Sequence, residues 1–214
     1  MVLGVAVLLT GMLLPAMSQL RESAHRIVCS SNQRQLGQAL FMYAHDHRDT
    51  LPKSQALTEE VRRPQELMSA VSPVTGEWDG WGILFRDQYC AAVECYYCPS
   101  HLGEHPIERY YESWYFFDGE PIYTNFHYSG NIEWQTGDPR YLHRGEKLVL
   151  ATDGLRTASD FNHVTGMNAL HGDGAVRWVE DAEEILSLLP NGPIATSEEA
   201  KRYAELWSLV EVRR

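Results

Sequence analysis

The stretch Gly166–Asp181, GMNALHGDGAVRWVED, decides the prediction for the fold. As a hairpin, it consists of one strand in GMNAL, a turn in HGDG and a returning strand in AVRWV. Asp-Gly between two apolar runs is typical of a tight hairpin turn, because both central residues tolerate a positive φ. Alternation along the returning strand then places Val176 and Trp178 on one face of the sheet, opposite to Arg177.

Short runs rich in aromatic and β-branched residues precede this hairpin and predict an antiparallel sheet over residues 78–180. The Asp-Gly dipeptide recurs in the same region, and each copy is expected to form a further tight turn. The runs are WDGWGILF, YYESWYFFDGEPIYTNFHYSG and KLVLATDG, and the earlier dipeptides are Asp79-Gly80, Asp118-Gly119 and Asp153-Gly154. Residues 50–77 are polar and contain proline, which predicts a variable loop region with one short helix in RPQELMSAV.

The N-terminal region predicts one long helix. Between Leu20 and Tyr43 the apolar residues recur at helical spacing, with arginine, glutamine and asparagine on the other face. This amphipathic part, about residues 18–48, is expected to pack on the soluble domain and to end near Asp49–Pro52.

Residues 1–20 contain no ionisable side chain, and three interpretations compete for them. A cleaved signal peptide requires a basic start and a clear cleavage site, and a buried core helix is usually apolar on one face only. A membrane helix of about 20 residues fits the ~30 Å hydrocarbon layer, although Pro15 interrupts the tract. We therefore predict a transmembrane segment over residues 1–20.

Two short helices are predicted at the C-terminal end, over about residues 181–211. Both begin with residues at capping-box spacing, Asp181 with Glu184 and Thr196 with Glu199. The second of these helices also carries a single apolar stripe.

The predicted fold class is α+β: a long N-terminal helix packed on an antiparallel sheet, with short C-terminal helices and a soluble domain over residues 18–214. The length of 214 residues and the hydrophobic fraction of 44% suit one globular domain with an appendage. The formal net charge of −11 argues against nucleic acid as a partner, because phosphate binding requires a basic face.

Two histidines and two aspartates near the hairpin raise the question of an active site. Asp153, His163, His171 and Asp173 are of the types that bind a divalent cation and activate water. Their spacing fixes no geometry, however, and turn formation explains Asp173 without chemistry. The sequence also contains no phosphate-binding loop and no nucleophile elbow. We therefore predict no catalytic residue, no cofactor and no enzyme activity.

The four cysteines allow disulfides, a zinc site or free thiols. In an oxidising compartment, pairing of Cys29 with Cys98 and of Cys90 with Cys95 would staple the helix to the sheet and close a small loop. A tetrahedral zinc ion could instead bind a set of four residues at suitable spacing. This set is Cys95, Cys98, His101 and His105. As an alternative function, the chain would then be an exoplasmic zinc enzyme.

A further alternative is a membrane-anchored binding module. Here the aromatic run YYESWYFF, which contains Trp114, would contact carbohydrate or a secreted protein.

The chain resembles the type IV pilin and type II secretion pseudopilin family, in particular its planctomycete group. The segment CSSNQRQLGQALFMYA matches the group's CxxNLRQLGLALxMYA-like pattern, YYCPS resembles its Cys-Pro-Ser segment, and a histidine, nine residues and Asp-Gly match its terminal signature. The matching positions are Pro15, Cys29, Asn32, Gln35, Leu36, Gly37, Cys98, Pro99, His163, Asn168, Asp173 and Gly174.

This resemblance implies a single-pass protein of the inner membrane that assembles with other pilin-like subunits through its N-terminal helix and serves a pilus or secretion machinery. Family members begin with a basic leader and a cleavage site, whereas this sequence opens inside the apolar helix. Arg21, Arg26 and Arg34 follow that helix, which by charge alone predicts a cytoplasmic domain. The resemblance implies an exoplasmic domain instead, and we follow the resemblance.

Overall fold

The computed structural model describes residues 2–58, 63–133, 135–145, 148–163, 165–180, 182–192, 194 and 197–212, without the side chains of residues 2–16, 144, 182, 197 and 212. Helix α1 (Val2–Asp46) is 45 residues long, about 68 Å at ~1.5 Å per residue. The prediction of a long N-terminal helix is therefore confirmed, and its end lies close to the predicted Asp49–Pro52 boundary.

The remaining elements are short. The helices are α2 (Trp81–Arg86), α3 (Ile107–Tyr115), α4 (Ala182–Leu188) and α5 (Ser197–Val212). The strands are β1 (Ser69–Val71), β2 (Ile122–Tyr123), β3 (Phe126–Tyr128), β4 (Val149–Asp153), β5 (Gly166–His171) and β6 (Val176–Glu180).

The strands form two antiparallel sheets, which confirms the α+β class. Strands β3, β4, β5 and β6 are neighbours in chain order and make a four-stranded meander, while β1 pairs with β2 separately. The register of the last hairpin runs from the pair Gly166 and Glu180 to the pair Leu170 and Val176. This places Asp173 and Gly174 in the turn, as predicted.

Both faces of the four-stranded sheet are covered. Leu170 and Val176 face α1 and belong to the core that contains Leu36, whereas Met167 and Val179 face the C-terminal helices. Because each face has a cover, all six residues of β5 are buried. The apolar stripe predicted for the last helix is confirmed by its buried residues, which are Tyr203, Leu206, Trp207 and Val210.

Two of the predicted strands are helices. WGILF forms α2 and the run around Trp114 forms α3, because their apolar residues recur at three and four positions and not at two. Trp81, Leu84 and Phe85 bury one side of α2 in the core. The prediction of a helix in RPQELMSAV is also wrong. This segment forms one 3-10 turn at Pro64–Glu66, and β1 follows it.

The four Asp-Gly dipeptides do not all make hairpins. Among the described residues, Asp173-Gly174 alone connects two paired strands, and Gly174 has a φ of 81°. Asp79-Gly80 precedes α2, Asp118-Gly119 lies between α3 and β2, and Asp153-Gly154 lies at the end of β4. The capping residues Asp181 and Thr196 lie outside the described residues.

The described side chains of helix α1 are exposed near residues 17–20 and packed from Cys29 onward. Cys29, Leu36 and Leu40 are buried against the sheet, whereas Met17 and Leu20 are 65% and 69% exposed. Within the part of the chain that the structure describes, no helix is both long enough and apolar enough to cross a membrane. The predicted transmembrane segment, residues 1–20, falls mostly on residues whose side chains lie outside that description.

Candidate functional site

His163 lies at the foot of the last hairpin, shortly before β5. Its side chain is buried, and Nδ1 lies 2.6 Å from Oε1 of Glu22 on α1. The ring also packs edge-on against Trp178, with the ring centroids 5.5 Å apart. His163 therefore joins the base of the hairpin to the N-terminal helix. His163 and Asp173 lie at opposite ends of β5. The residues between them in the sequence therefore include the whole of β5 and the start of the turn.

Asp153 ends β4 and faces His163. The carboxylate is fully buried, with Oδ2 accepting hydrogen bonds from the Asn168 amide at 2.6 Å and its side chain at 3.3 Å. Oδ1 accepts a hydrogen bond from Gln33 Nε2 at 3.1 Å. Burial raises the pKa of Asp153, and the charge of His163, with Nε2 3.5 Å from Oδ2, opposes that rise.

A disulfide between Cys29 and Cys98 lies beside this pair and confirms the first of the two predicted cysteine pairings. It links α1 to the segment after a 3-10 turn, and the side chain of Asn32 supports the same join by donating to the Tyr97 carbonyl at 3.0 Å. Cys98 Sγ lies 3.6 Å from Nε2 of His163. The disulfide and the polar pair therefore form one contiguous group.

The outer edge of this group reaches solvent at Glu22, whose side chain is 33% exposed. Ser100 Oγ donates a hydrogen bond to Glu22 Oε2 at 2.8 Å and lies 3.3 Å from His25 Nδ1. Glu22 thus accepts from a serine on one oxygen and from His163 on the other.

We call Cys29, Cys98, Asp153 and His163 the Cys–His–Asp cluster. Their ligand-type atoms all lie within 4.8 Å of one another. All four side chains are buried, so the cluster offers no open face to a substrate. With the disulfide formed, the cluster consists of a covalent link between Cys29 and Cys98 beside the buried polar pair of Asp153 and His163. These are also the residues that can hold a metal ion.

The metal site suggested by the hairpin residues is only half formed. Asp153 and His163 come together, but His171 and Asp173 lie at the other end of β5. Asp173 instead accepts hydrogen bonds from the Ala175 amide and from the Arg177 guanidinium, which lowers the pKa of its carboxyl to about 2. Its role in the turn is therefore structural.

The alternative zinc set, Cys95, Cys98, His101 and His105, is not assembled. Cys98 is bonded to Cys29, and Cys95 Sγ donates to Gln35 Oε1 at 3.2 Å. His101 Nδ1 lies 2.7 Å from Asn162 Oδ1, and His105 Nδ1 lies 2.9 Å from the Tyr110 hydroxyl. The four residues therefore have separate partners.

The second predicted disulfide, Cys90 to Cys95, is also wrong, since both residues are free thiols. They are hydrogen-bonded to each other, and this contact lowers the pKa of Cys90 to about 7. The same hydrogen bond, together with burial, raises the pKa of Cys95.

The aromatic run proposed to bind carbohydrate is divided between the core and the surface, and Trp114 lies in the core. Trp114 is 1% exposed, stacks on Tyr96 at a centroid distance of 4.7 Å and donates from Nε1 to the Tyr97 hydroxyl. The aromatic side chains of this run that face solvent are Tyr111, Tyr115, Phe116 and Phe117. Substitution of Trp114 would therefore test packing and not surface binding.

Sequence reasoning did not identify Glu22 and Gln33 as partners of the site. The signal was nevertheless present, because Glu22, Arg26, Cys29 and Gln33 recur at the three- and four-residue spacing of one helix face. Arg26 completes that face by stacking its guanidinium 3.3 Å from the ring centroid of Trp178.

Comparisons with protein-family models, with curated proteins and with solved structures return no match to this chain.

Proposed function

We propose that this chain is a non-enzymatic, pseudopilin-like subunit, held in the inner membrane by its N-terminal segment with the α+β domain on the exoplasmic side. In this proposal it assembles with other pilin-like subunits through α1 and serves a pilus or type II secretion-like machinery.

The division of α1 carries this proposal. The domain buries apolar side chains of the helix from Cys29 onward. In the preceding turns it contacts the polar side chains of Glu22 and Arg26, while the apolar side chains remain exposed. Ile27 is 70% exposed and Val28 is 46% exposed, in addition to Met17 and Leu20. By sequence, residues 1–16, which precede Met17, are apolar on all sides of the helix. Lipid or neighbouring copies of the same helix would remove this surface from water.

Three further observations support the proposal. An antiparallel meander packed on the second half of a long N-terminal helix is the arrangement that the family resemblance implies. The disulfide between Cys29 and Cys98 suits an oxidising compartment outside the cytoplasm. The closed surroundings of His163 and Asp153 favour a structural role for the residues that most resemble an active site.

Membrane attachment can be tested with a charge in the apolar segment. Expressed in a bacterium with a type II secretion system, the full chain should sediment with the inner membrane, and protease added to spheroplasts should cleave its domain. Leu9→Arg should release the chain, because arginine near the centre of a membrane helix costs roughly 3 kcal/mol. Val74→Arg, at a position 73% exposed on the domain, is the matched control.

Assembly through α1 can be tested with a photo-crosslinking residue at Ile27, compared with the same residue at Val74. We expect crosslinked multimers from Ile27 and monomers from Val74. A chain that stays soluble, or that crosslinks equally from both positions, would contradict the proposal.

A further inference from the structure

The Cys–His–Asp cluster contains four side chains of the types that bind zinc. One sulfur, nitrogen or oxygen atom from each of the four side chains lies within 4.8 Å of the other three, and no member is more than 4% exposed. The members come from α1, from the segment after Tyr97, from the end of β4 and from the loop before β5. They are therefore brought together by the fold and not by a local sequence motif.

The separations involving His163 fit a tetrahedral ion. Bond lengths of about 2.0–2.1 Å for nitrogen and 2.0–2.2 Å for oxygen give a nitrogen-to-oxygen edge of about 3.4 Å, and a zinc–sulfur bond of about 2.3 Å gives a nitrogen-to-sulfur edge of about 3.6 Å. His163 Nε2 lies 3.5 Å from Asp153 Oδ2 and 3.6 Å from Cys98 Sγ. Two edges of the tetrahedron are thus already present.

The surroundings orient these groups as ligands. Glu22 accepts a hydrogen bond from Nδ1 of His163, so that Nε2, which faces Cys98 Sγ and Asp153 Oδ2, is the nitrogen available to a metal ion. A carboxylate behind a histidine in this way is the usual support of a zinc-bound imidazole. The Asn168 amide and Gln33 hold the carboxylate of Asp153 in the same manner.

We propose that reduction of the Cys29–Cys98 disulfide converts this cluster into a zinc site with Cys29, Cys98, Asp153 and His163 as ligands. A dithiol reductant supplies two electrons and two protons, its own sulfurs become a disulfide, and the bond between the two cysteine sulfurs breaks. Zinc then displaces the two thiol protons to solvent and binds both thiolates, the imidazole and the carboxylate. The disulfide and the metal exclude each other because they use the same sulfurs. This site does not depend on the pilin-like function.

Cobalt(II) provides the direct test, because thiolate-bound cobalt in a tetrahedral site absorbs in the near ultraviolet and strongly in the visible. The full chain, purified in detergent, is reduced with a dithiol, freed of it by gel filtration under nitrogen and titrated with Co²⁺. We expect both absorption signals to saturate at one ion per chain, to vanish on addition of Zn²⁺, and to be missing from the unreduced protein.

Variants identify the ligands. Cys29→Ser and His163→Ala should each weaken Co²⁺ binding by roughly tenfold or more, and Glu22→Gln by about 10–100-fold, as for other residues that support a metal ligand. Cys95→Ser and His101→Ala, from the set that does not assemble, are matched controls and should bind normally. Far-ultraviolet circular dichroism shows whether each variant is folded.

Reduced wild-type protein that shows no thiolate-to-cobalt absorption would overturn the proposal even if every variant misfolds. It would also be overturned if folded Cys29→Ser and His163→Ala variants kept normal spectra, or if the Cys95→Ser and His101→Ala controls lost them.

Discussion

The imidazole of His163 donates from Nδ1 to Glu22 Oε1 across 2.6 Å, although 141 residues separate the two in the chain. This contact fastens the foot of the β5–β6 hairpin to α1 at the point where the helix begins to leave the domain. Trp178 and Arg26 extend the join by a cation–π contact. Nearer the C-terminal end of α1 the packing is apolar, so polar contacts hold one end of the buried helix face and a hydrophobic core holds the other.

Glu22→Ala should therefore destabilise the domain. Removing the carboxylate leaves the buried Nδ1 of His163 without its acceptor, which costs roughly 1–3 kcal/mol. Denaturant unfolding of the full chain in detergent measures the change. Glu112→Ala, at an exposed position on α3, is the control and should lie within about 0.5 kcal/mol of wild type. Equal losses in the two variants would show that the contact with His163 adds nothing.

Loss of the disulfide should cost more. The bond between Cys29 and Cys98 closes a loop with a sequence separation of 69, so its removal by Cys29→Ser should lower the free energy of unfolding by about 4 kcal/mol. The measurement needs a chelator, so that metal binding does not contribute. Cys90→Ser, at a half-buried free thiol, should have a much smaller effect. A small loss on removal of Cys29 would mean that packing alone holds α1 in place.

Acid should destabilise the fold through two histidines. Burial lowers the pKa of His127 to about 3, and burial together with Arg156 lowers the pKa of His105 to about 4, against an ordinary value of 6.5. Below pH 6.5 the unfolded chain takes up protons that the folded chain does not. The free energy of unfolding should then fall by roughly 1.4 kcal/mol per pH unit for each histidine between about pH 6 and 4.

The same measurement on His105→Gln shows how much of the acid-induced fall in the free energy of unfolding comes from His105. Its curve should run parallel to the wild-type curve above pH 7 and fall less steeply below pH 6. Identical slopes in both proteins would contradict the assignment to His105.

Gly37 is expected to tolerate no large side chain. A Cβ atom at this position would lie 3.0 Å from Cδ1 of Leu170, so that α1 and β5 approach closely there. Gly37→Leu should lower the free energy of unfolding by roughly 1–3 kcal/mol through overpacking. Gln38→Leu, one residue further along on the exposed side of the helix, is the control for helix propensity. If Gly37→Leu is as stable as Gln38→Leu, the contact between helix and strand is looser than the structure has it.

Gly174 is required by the turn itself. Its φ of 81° lies in the left-handed region, where a side chain costs roughly 1–2 kcal/mol. Gly174→Ala should therefore lower the melting temperature, whereas Gly192→Ala, with open space around the new Cβ, should change it little. Equal melting temperatures for the two variants would argue that the turn can relax.

The local pattern of the sequence was sufficient to predict α1, the last hairpin and the buried stripe of the last helix. Each is encoded by residues within a few positions of one another, through helical spacing, alternation or the backbone freedom of Asp-Gly. Where composition and spacing disagreed, composition gave the wrong prediction. The aromatic content around Trp114 suggested a strand, whereas its helical spacing is that of α3, which the segment forms.

The Cys–His–Asp cluster was decided by the tertiary structure. His163 had no local explanation, and Cys98 fitted a nearby zinc set as well as a distant disulfide. What selects among these alternatives is the register of β4 against β5 and the position of α1 across them, which bring Asp153, His163 and Glu22 together. Periodicity determines which face a side chain occupies, but the packing of distant elements determines what it meets there, because that choice depends on the whole core at once.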